Sequence, residues 1–191
     1  MMKKCYLSII MGLMLICTFF SNAHANVNRV PLNDDITVDK LSDEFTRRAM
    51  EVNSPLRLKK HDRVVYVSEL NLNINRFIPD DNAIGANANV YVNVPSYMDG
   101  KIYEIDVWVK LSDTFDFYDS FKALGEYTLL IERAVGTPGG EGYTDGLFAL
   151  MDANKKGSGA YWSPVTNRKY TINKVSDEKR NAIGYAISAT I

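Results

Sequence analysis

The chain has 191 residues, with 22 basic and 23 acidic side chains and a formal net charge of −1 at pH 7. It has no basic excess to bind phosphate backbones, so we expect no nucleic-acid partner. The length fits one domain with a sizeable hydrophobic core.

The first 25 residues have the pattern of an export signal. Lys3-Lys4 forms a basic start, residues 6–20 form an apolar run, and Ala23-His24-Ala25 supplies the small residues that a signal peptidase requires. The run is too short for a comfortable membrane span. The sequence therefore predicts a Sec-type signal peptide over residues 1–25, followed by a single domain over residues 26–191.

The position of the cysteines limits the chemistry of the mature chain. Cys5 and Cys17 both lie in the predicted leader. Cleavage after Ala25 would therefore leave no disulfide, no zinc–thiolate site and no cysteine nucleophile. A cysteine-free exported chain is typical of the bacterial periplasm or the secreted space. We predict one of these locations, with no membrane span after signal cleavage.

The first element predicted for the domain is a helix over residues 38–52. Leu41, Phe45, Ala49 and Val52 recur there at helical spacing. An Asn-Ser-Pro sequence ends the helix, because proline disfavours helical backbone in the residue before it. A basic connector follows.

Three segments with a period of two come next, over residues 64–74, 86–94 and 103–111. Apolar residues take every other position in each segment, with Ser68 as an exception in the first. Turn-forming residues separate the segments. Consecutive alternating strands with short connections predict an antiparallel meander with one face in the core.

The second half of the domain returns to helical spacing and ends in strands. Residues 112–124 predict a helix. Helical spacing continues to Val135, but Gly125 costs a helix about 1 kcal/mol and residues 127–131 also have the composition of a strand. Residues 136–146 contain five glycines and one proline, which is typical of a flexible connection. A short helix over 144–155 and strands over 160–165, 170–175 and 182–191 complete the chain. This order predicts an α+β fold: an antiparallel sheet, made of a three-stranded meander plus C-terminal strands, with two or three helices packed on one face.

Standard catalytic and metal-binding patterns are missing from the mature sequence. His61 is its only histidine, and no Gly-x-Ser-x-Gly sequence presents a serine nucleophile. One histidine without cysteine falls short of a zinc site. We therefore predict no catalytic residue, no metal and no cofactor, and these absences favour a binding protein over an enzyme.

Two alternatives remain open. A glycan-acting hydrolase would use carboxylates, with Asp113, Asp116 or Glu141 beside a cleft, because such enzymes need two carboxyl groups roughly 5–9 Å apart. A carrier of a small solute or lipid would line a cavity with aromatic side chains. The candidates for that lining are Phe115, Phe117, Tyr118 and Phe121.

The polar side of the meander is the feature that favours binding. If the three segments keep one phase, ten side chains lie opposite the core: Asn71, Asn73, Asn75, Asn87, Asn89, Tyr91, Asn93, Glu104, Asp106 and Trp108. Amides offer both donors and acceptors, and tyrosine and tryptophan add large contact area. Such a face suits a protein partner, or a glycan. We predict an exported binding protein of the bacterial envelope that acts by protein–protein recognition, as an inhibitor, an immunity-type factor or an envelope accessory factor.

Overall fold

The structure, a computed structural model, describes residues 30–80, 90–97, 99–111, 117–137 and 143–191. Within these residues the chain forms three α-helices and a seven-stranded antiparallel sheet, which confirms the predicted α+β fold. The helices are α1 (Leu41–Glu51), α2 (Phe117–Val135) and α3 (Tyr143–Lys156). The strands are β1 (Leu58–Val67), β2 (Leu72–Pro79), β3 (Val90–Ser96), β4 (Glu104–Lys110), β5 (Ser158–Ser163), β6 (Arg168–Asp177) and β7 (Ala182–Thr190).

The strands lie in the order β1-β2-β3-β4-β7-β6-β5. Strands β1 to β4 form an antiparallel meander, one strand longer than the sequence predicts. The chain then leaves the sheet through α2 and α3 and returns as β5 to β7, with β7 pairing against β4. This return brings the C-terminal hairpin next to the end of the meander.

Helix α1 forms on the predicted apolar repeat. Leu41, Phe45 and Ala49 are fully buried, and the ring of Phe45 stacks on that of Tyr127 in α2 at 5.5 Å between centroids. Full burial of such side chains stabilises the fold by roughly 1.5–3 kcal/mol each. Burial of this kind also explains why α2 continues through Gly125 to its end, although glycine disfavours helix.

The helices cover one face of the sheet, called the helix face here, and the opposite side is the outer face. Val92, Val107, Ile172 and Ile187 are fully buried and lie on the helix face. Their neighbours along each strand point to the outer face, because successive side chains of a strand alternate. No helix among the described residues is long and apolar enough to cross a membrane. The predicted signal peptide lies outside the described residues.

Two hairpins share the same loop geometry. Strands β1 and β2 are joined by Ser68–Leu70 and Asn71, and β6 and β7 by Glu178–Arg180 and Asn181. Each loop is a 3₁₀ turn followed by an asparagine with φ of 49°. Asparagine tolerates this left-handed conformation better than most residues do. The same chain geometry therefore closes a hairpin at the sheet edge and another in the sheet interior.

Candidate functional site

The phase of β2 differs from the prediction. Residues 64–74 were predicted as one strand, but a four-residue loop divides them. Val67 pairs with Leu72 across this loop, so the two side chains lie on the same face of the sheet. The face that odd-numbered residues take before the loop is therefore taken by even-numbered residues after it. The prediction that Asn73 and Asn75 share the outer face is therefore wrong.

The three asparagines of the first hairpin differ from the prediction in their position and contacts. Asn75 is buried on the helix face, where its Nδ2 donates to Ser96 Oγ at 3.0 Å. Asn73 pairs with Ser96 across the strands and is half-buried. Asn71 ends the loop, and its Oδ1 accepts from the hydroxyl of Tyr66 at 3.2 Å. These contacts give the side chains of Asn71 and Asn75 a structural role.

The outer face does bring five of the ten predicted residues together. These are Tyr91, Asn93, Glu104, Asp106 and Trp108, with Tyr91 opposite Trp108 and Asn93 opposite Asp106. Asn87 and Asn89 lie outside the described residues. The outer face of β3 and β4 therefore has the composition that the sequence predicts, whereas that of β2 does not.

Tyr91 and Trp108 form a stacked pair, with ring centroids 6.4 Å apart and planes 10° apart. Trp108 is only 3% exposed, and it packs over Gly184, where a Cβ atom would lie 3.0 Å from the indole. The guanidinium of Arg76 lies 5.0 Å from the centre of the Tyr91 ring. Burial raises the pKa of the Tyr91 hydroxyl, although Arg180 and Arg76 act in the opposite direction. Tyr91 is thus the accessible member of the pair, packed on the buried Trp108 and with cations beside it.

Next to this pair the outer face carries an open cavity of about 570 Å³, called the outer-face pocket. Its lining consists of Arg76, Tyr91, Asn93, Lys110, Lys179, Arg180 and Asn181. Among the described lining residues, four side chains are cationic and none is acidic. The volume lies in the range of roughly 300–1,000 Å³ that is usual for ligand sites. The pocket can therefore hold an anionic group of substantial size.

The loop between β6 and β7 supplies one wall of the outer-face pocket. The backbone N–H of Leu111 donates to the carbonyl oxygen of Asn181 at 2.8 Å. In return, Asn181 Nδ2 donates to the carbonyl oxygen of Leu111 at 2.9 Å. These two bonds fasten the loop to the end of β4. Lys179 and Arg180 are held beside Lys110 as a result.

The cations of the outer-face pocket are only partly neutralised. Arg180 Nε lies 3.7 Å from Asp177 Oδ2, and Arg76 contacts an aromatic ring. Among the residues that the structure describes, Lys110 and Lys179 form no ion pair with a carboxylate. Among the described lining residues, the positive charge is therefore only partly balanced, which favours a negatively charged ligand.

The sequence analysis did not assign the cations of the pocket to a site. Lys110 continues the polar alternation of β4, so a signal for it was present. Arg76 falls on the outer face only once the loop before β2 is recognised. Lys179 and Arg180 reach the pocket through the pairing of β7 with β4, which local periodicity cannot reveal.

A buried carboxyl group lies on the other side of the sheet. Glu132 of α2 is fully buried, and its Oε1 accepts from the hydroxyl of Tyr161. The hydroxyl of Thr137 lies 3.4 Å from Oε2. Burial raises the pKa of Glu132 to about 7, although these hydrogen bonds and Arg133 lower it. A Cβ atom at Gly146 in α3 would lie 2.5 Å from Oε2, so protein atoms enclose the carboxyl group.

The surroundings of Glu132 point to a structural role. The last carbonyl groups of a helix lack partners within it, and here other elements supply them. Tyr170 donates its hydroxyl to the carbonyl oxygen of Val135 at 3.1 Å, and Asn33 Nδ2 donates to the same oxygen at 3.0 Å. Ser163 Oγ donates to the carbonyl oxygen of Gly136. The cluster joins α2 to the C-terminal strands.

Most residues on which the hydrolase and carrier alternatives depend are not described by the structure, so both alternatives stay predictions. Asp113, Asp116, Glu141, Phe115 and the side chain of Phe117 lie outside the described residues. Tyr118 is 73% exposed, and Phe121 is half-buried below the ammonium of Lys174, 5.9 Å from the ring centre. No cluster of three or more metal-ligating side chains occurs in the described ranges.

Comparison with known proteins adds no family to these observations. No protein-family model, curated protein or solved structure matches the chain.

Proposed function

We propose that this chain is an exported, non-enzymatic binding protein of the bacterial envelope that recognises a protein partner through its outer face. The observation that supports the proposal is the cation-lined outer-face pocket beside the Tyr91–Trp108 pair. An inhibitor, an immunity-type factor and an envelope accessory factor all act by such binding.

Tyr91 and Arg76, supported by the buried Trp108, have the properties of an interface centre. Tyrosine, tryptophan and arginine are the residues that most often contribute strongly to protein–protein binding. Tyr91 and Trp108 are held by strand pairing, and Arg76 is already stacked on Tyr91. Because Tyr91 packs between Trp108 and Arg76, its side chain would lose less conformational entropy on binding.

Charge complementarity indicates an acidic partner surface. The chain has a net charge of −1, yet the lining of its outer-face pocket carries four positive side chains. Such local positive charge attracts acidic groups, while the remaining acidic surface disfavours other orientations. The pocket therefore supports both attraction and orientation of an acidic protein.

The export part of the proposal has its own test. If residues 1–25 are a signal peptide, the chain recovered from the periplasm or the medium begins at Asn26. N-terminal sequencing of fractionated cells measures this directly. A chain that begins at Met1 and stays in the cytoplasm would contradict export.

Affinity capture tests recognition by the outer face. Wild-type protein, a Lys110→Glu/Lys179→Glu variant and a Lys122→Glu/Lys155→Glu variant are each used to capture proteins from the envelope of the producing cells. Both variants change the charge equally, but Lys122 and Lys155 lie on helices. We expect a partner that wild type and the helix variant retain and that the pocket variant loses. A partner retained equally by all three proteins would place recognition elsewhere.

A further inference from the structure

We infer that the outer-face pocket binds an extended acidic segment with carboxylates on alternate residues. This inference rests on the proposed function, because it names the chemistry that the same face would recognise in its partner.

The cations of the pocket come from separated parts of the sheet. Arg76 lies on β2 and Lys110 at the end of β4, with β3 between them. Neighbouring strands lie about 4.8 Å apart, so β2 and β4 are roughly 10 Å apart. Lys179 and Arg180 add charge from a third position, the loop that joins β6 to β7. A ligand that extends across the strands can therefore contact more of these side chains than a compact anion bound beside one of them.

An extended peptide matches this spread of positive charge. Side chains on alternate residues of an extended chain point the same way and are roughly 7 Å apart. Two or three carboxylates at that spacing can each meet a different cation of the outer-face pocket. Arg76 and Arg180 can also bind a carboxylate with two parallel hydrogen bonds, which adds geometric selectivity.

The neutral part of the lining fits the same occupant. Asn93 carries both a donor and an acceptor, which suits the backbone of a peptide between its acidic residues. The ring of Tyr91 offers apolar contact for the intervening side chains. The pocket thus combines groups for the charges of a segment with groups for its neutral parts.

Peptide titration followed by ¹⁵N NMR of the purified protein tests the inference. The probe is a capped Glu-Ser-Glu-Ser-Glu peptide, the matched control is Gln-Ser-Gln-Ser-Gln, and inorganic pyrophosphate is the compact anion. We expect the glutamate peptide to shift the side-chain resonances of Asn93, Asn181 and Trp108. We expect the glutamine peptide to bind at least about tenfold more weakly, because it lacks the charges. Affinity for the glutamate peptide should fall when salt rises from about 0.05 to 0.5 M.

Two variants that lose the same amount of positive charge test whether the peptide binds in the pocket. We expect Lys110→Gln/Lys179→Gln to weaken the glutamate peptide by about tenfold and Lys122→Gln/Lys155→Gln by less than about twofold. All four lysines are exposed, so the fold should survive, and the melting temperature of each variant verifies this.

Several outcomes would overturn the inference. Equal affinity for the two peptides would remove the role of carboxylates, and tighter binding of pyrophosphate would assign the pocket to a compact anion. If the peptide does not bind but the Lys110→Glu/Lys179→Glu variant still loses its captured partner, the inference fails and the proposed function stands. If the peptide binds but capture does not depend on the pocket, the proposed function fails and the inference stands.

Discussion

The two sides of the sheet differ in whether their charged side chains are buried or exposed to solvent. On the helix face, protein atoms enclose the carboxyl group of Glu132, and burial raises its pKa to about 7. On the outer face, the lysines and arginines of the outer-face pocket remain exposed to solvent. Desolvation penalises a charge only where water is removed. The enclosed carboxyl group of Glu132 is therefore structural, whereas the exposed cations of the outer-face pocket can contact a ligand.

The largest expected effect is on the pH dependence of stability. The pKa of Glu132 rises from 4.5 to about 7 on folding, so the folded state holds this proton more tightly than the unfolded state. The stabilisation is complete below pH 4.5 and is lost as pH rises to about 7, by about 3 kcal/mol in the free energy of unfolding. Urea unfolding of wild type and Glu132→Gln between about pH 4.5 and 8 measures this difference.

The control for this prediction lies on the same helix. Glu126 is about half exposed, so Glu126→Gln should keep the pH dependence of wild type. Glu132→Gln should lose most of it, because glutamine carries no titrating proton. Parallel pH profiles for wild type and Glu132→Gln would show that the enclosed carboxyl group does not control stability.

Two glycines differ in how closely they are packed: Gly184 on the outer face of the sheet and Gly125 on α2. A Cβ atom at Gly184 would lie 3.0 Å from the indole of Trp108 and still closer to the carbonyl oxygen of Val107. We expect Gly184→Ala to lower the free energy of unfolding by about 2 kcal/mol. Gly125→Ala should raise it by up to about 1 kcal/mol, because nothing lies near that position in α2. Equal effects in urea unfolding would mean that the indole is loosely packed.

Two asparagines test the corrected phase of β2. Asn75 is buried and bonded to Ser96, whereas Asn93 lines the open pocket. We expect Asn75→Ala to lower the free energy of unfolding by about 1–2 kcal/mol, because it leaves a buried hydroxyl group short of a partner. Asn93→Ala should change it by less than about 0.5 kcal/mol. If thermal unfolding shows equally small effects for both variants, the two residues share the outer face, as the sequence alone suggested.

The smallest expected effect on stability belongs to the pocket lysines. Lys110→Gln/Lys179→Gln should change the free energy of unfolding by less than about 0.5 kcal/mol, because both side chains are exposed and make no ion pair among the described residues. Chemical unfolding measures this change. A large loss of stability would show that these lysines support the fold and would weaken the case that they serve a ligand.

The sequence predicted those elements whose pattern is local. The second and third alternating segments became β3 and β4, and the repeat over 38–52 became α1, because period follows directly from which face is buried. The loop at residues 68–71 was missed because Ser-Glu-Leu-Asn contains neither glycine nor proline. Only Ser68, which interrupts the apolar alternation, marked it.

The candidate site was predictable in its aromatic half and not in its charged half. Tyr91, Asn93 and Trp108 follow from alternation within β3 and β4. Lys179 and Arg180 join them only because β7 pairs with β4 across more than 70 residues of chain. The enclosure of Glu132 also depends on packing between α2, α3 and β5. Contacts between distant segments leave no periodic pattern in the sequence.

The repeated loop geometry has a consequence for how the choice of the proposed partner could diversify. Both hairpins depend on the asparagine at the left-handed position, while the residues before it are Ser-Glu-Leu in one loop and Glu-Lys-Arg in the other. Residues 178–180 can therefore vary in charge without disturbing the turn, whereas Asn181 cannot be replaced so freely. Selection acting on three consecutive codons could thus redirect this surface to a new target while the folding information stays intact.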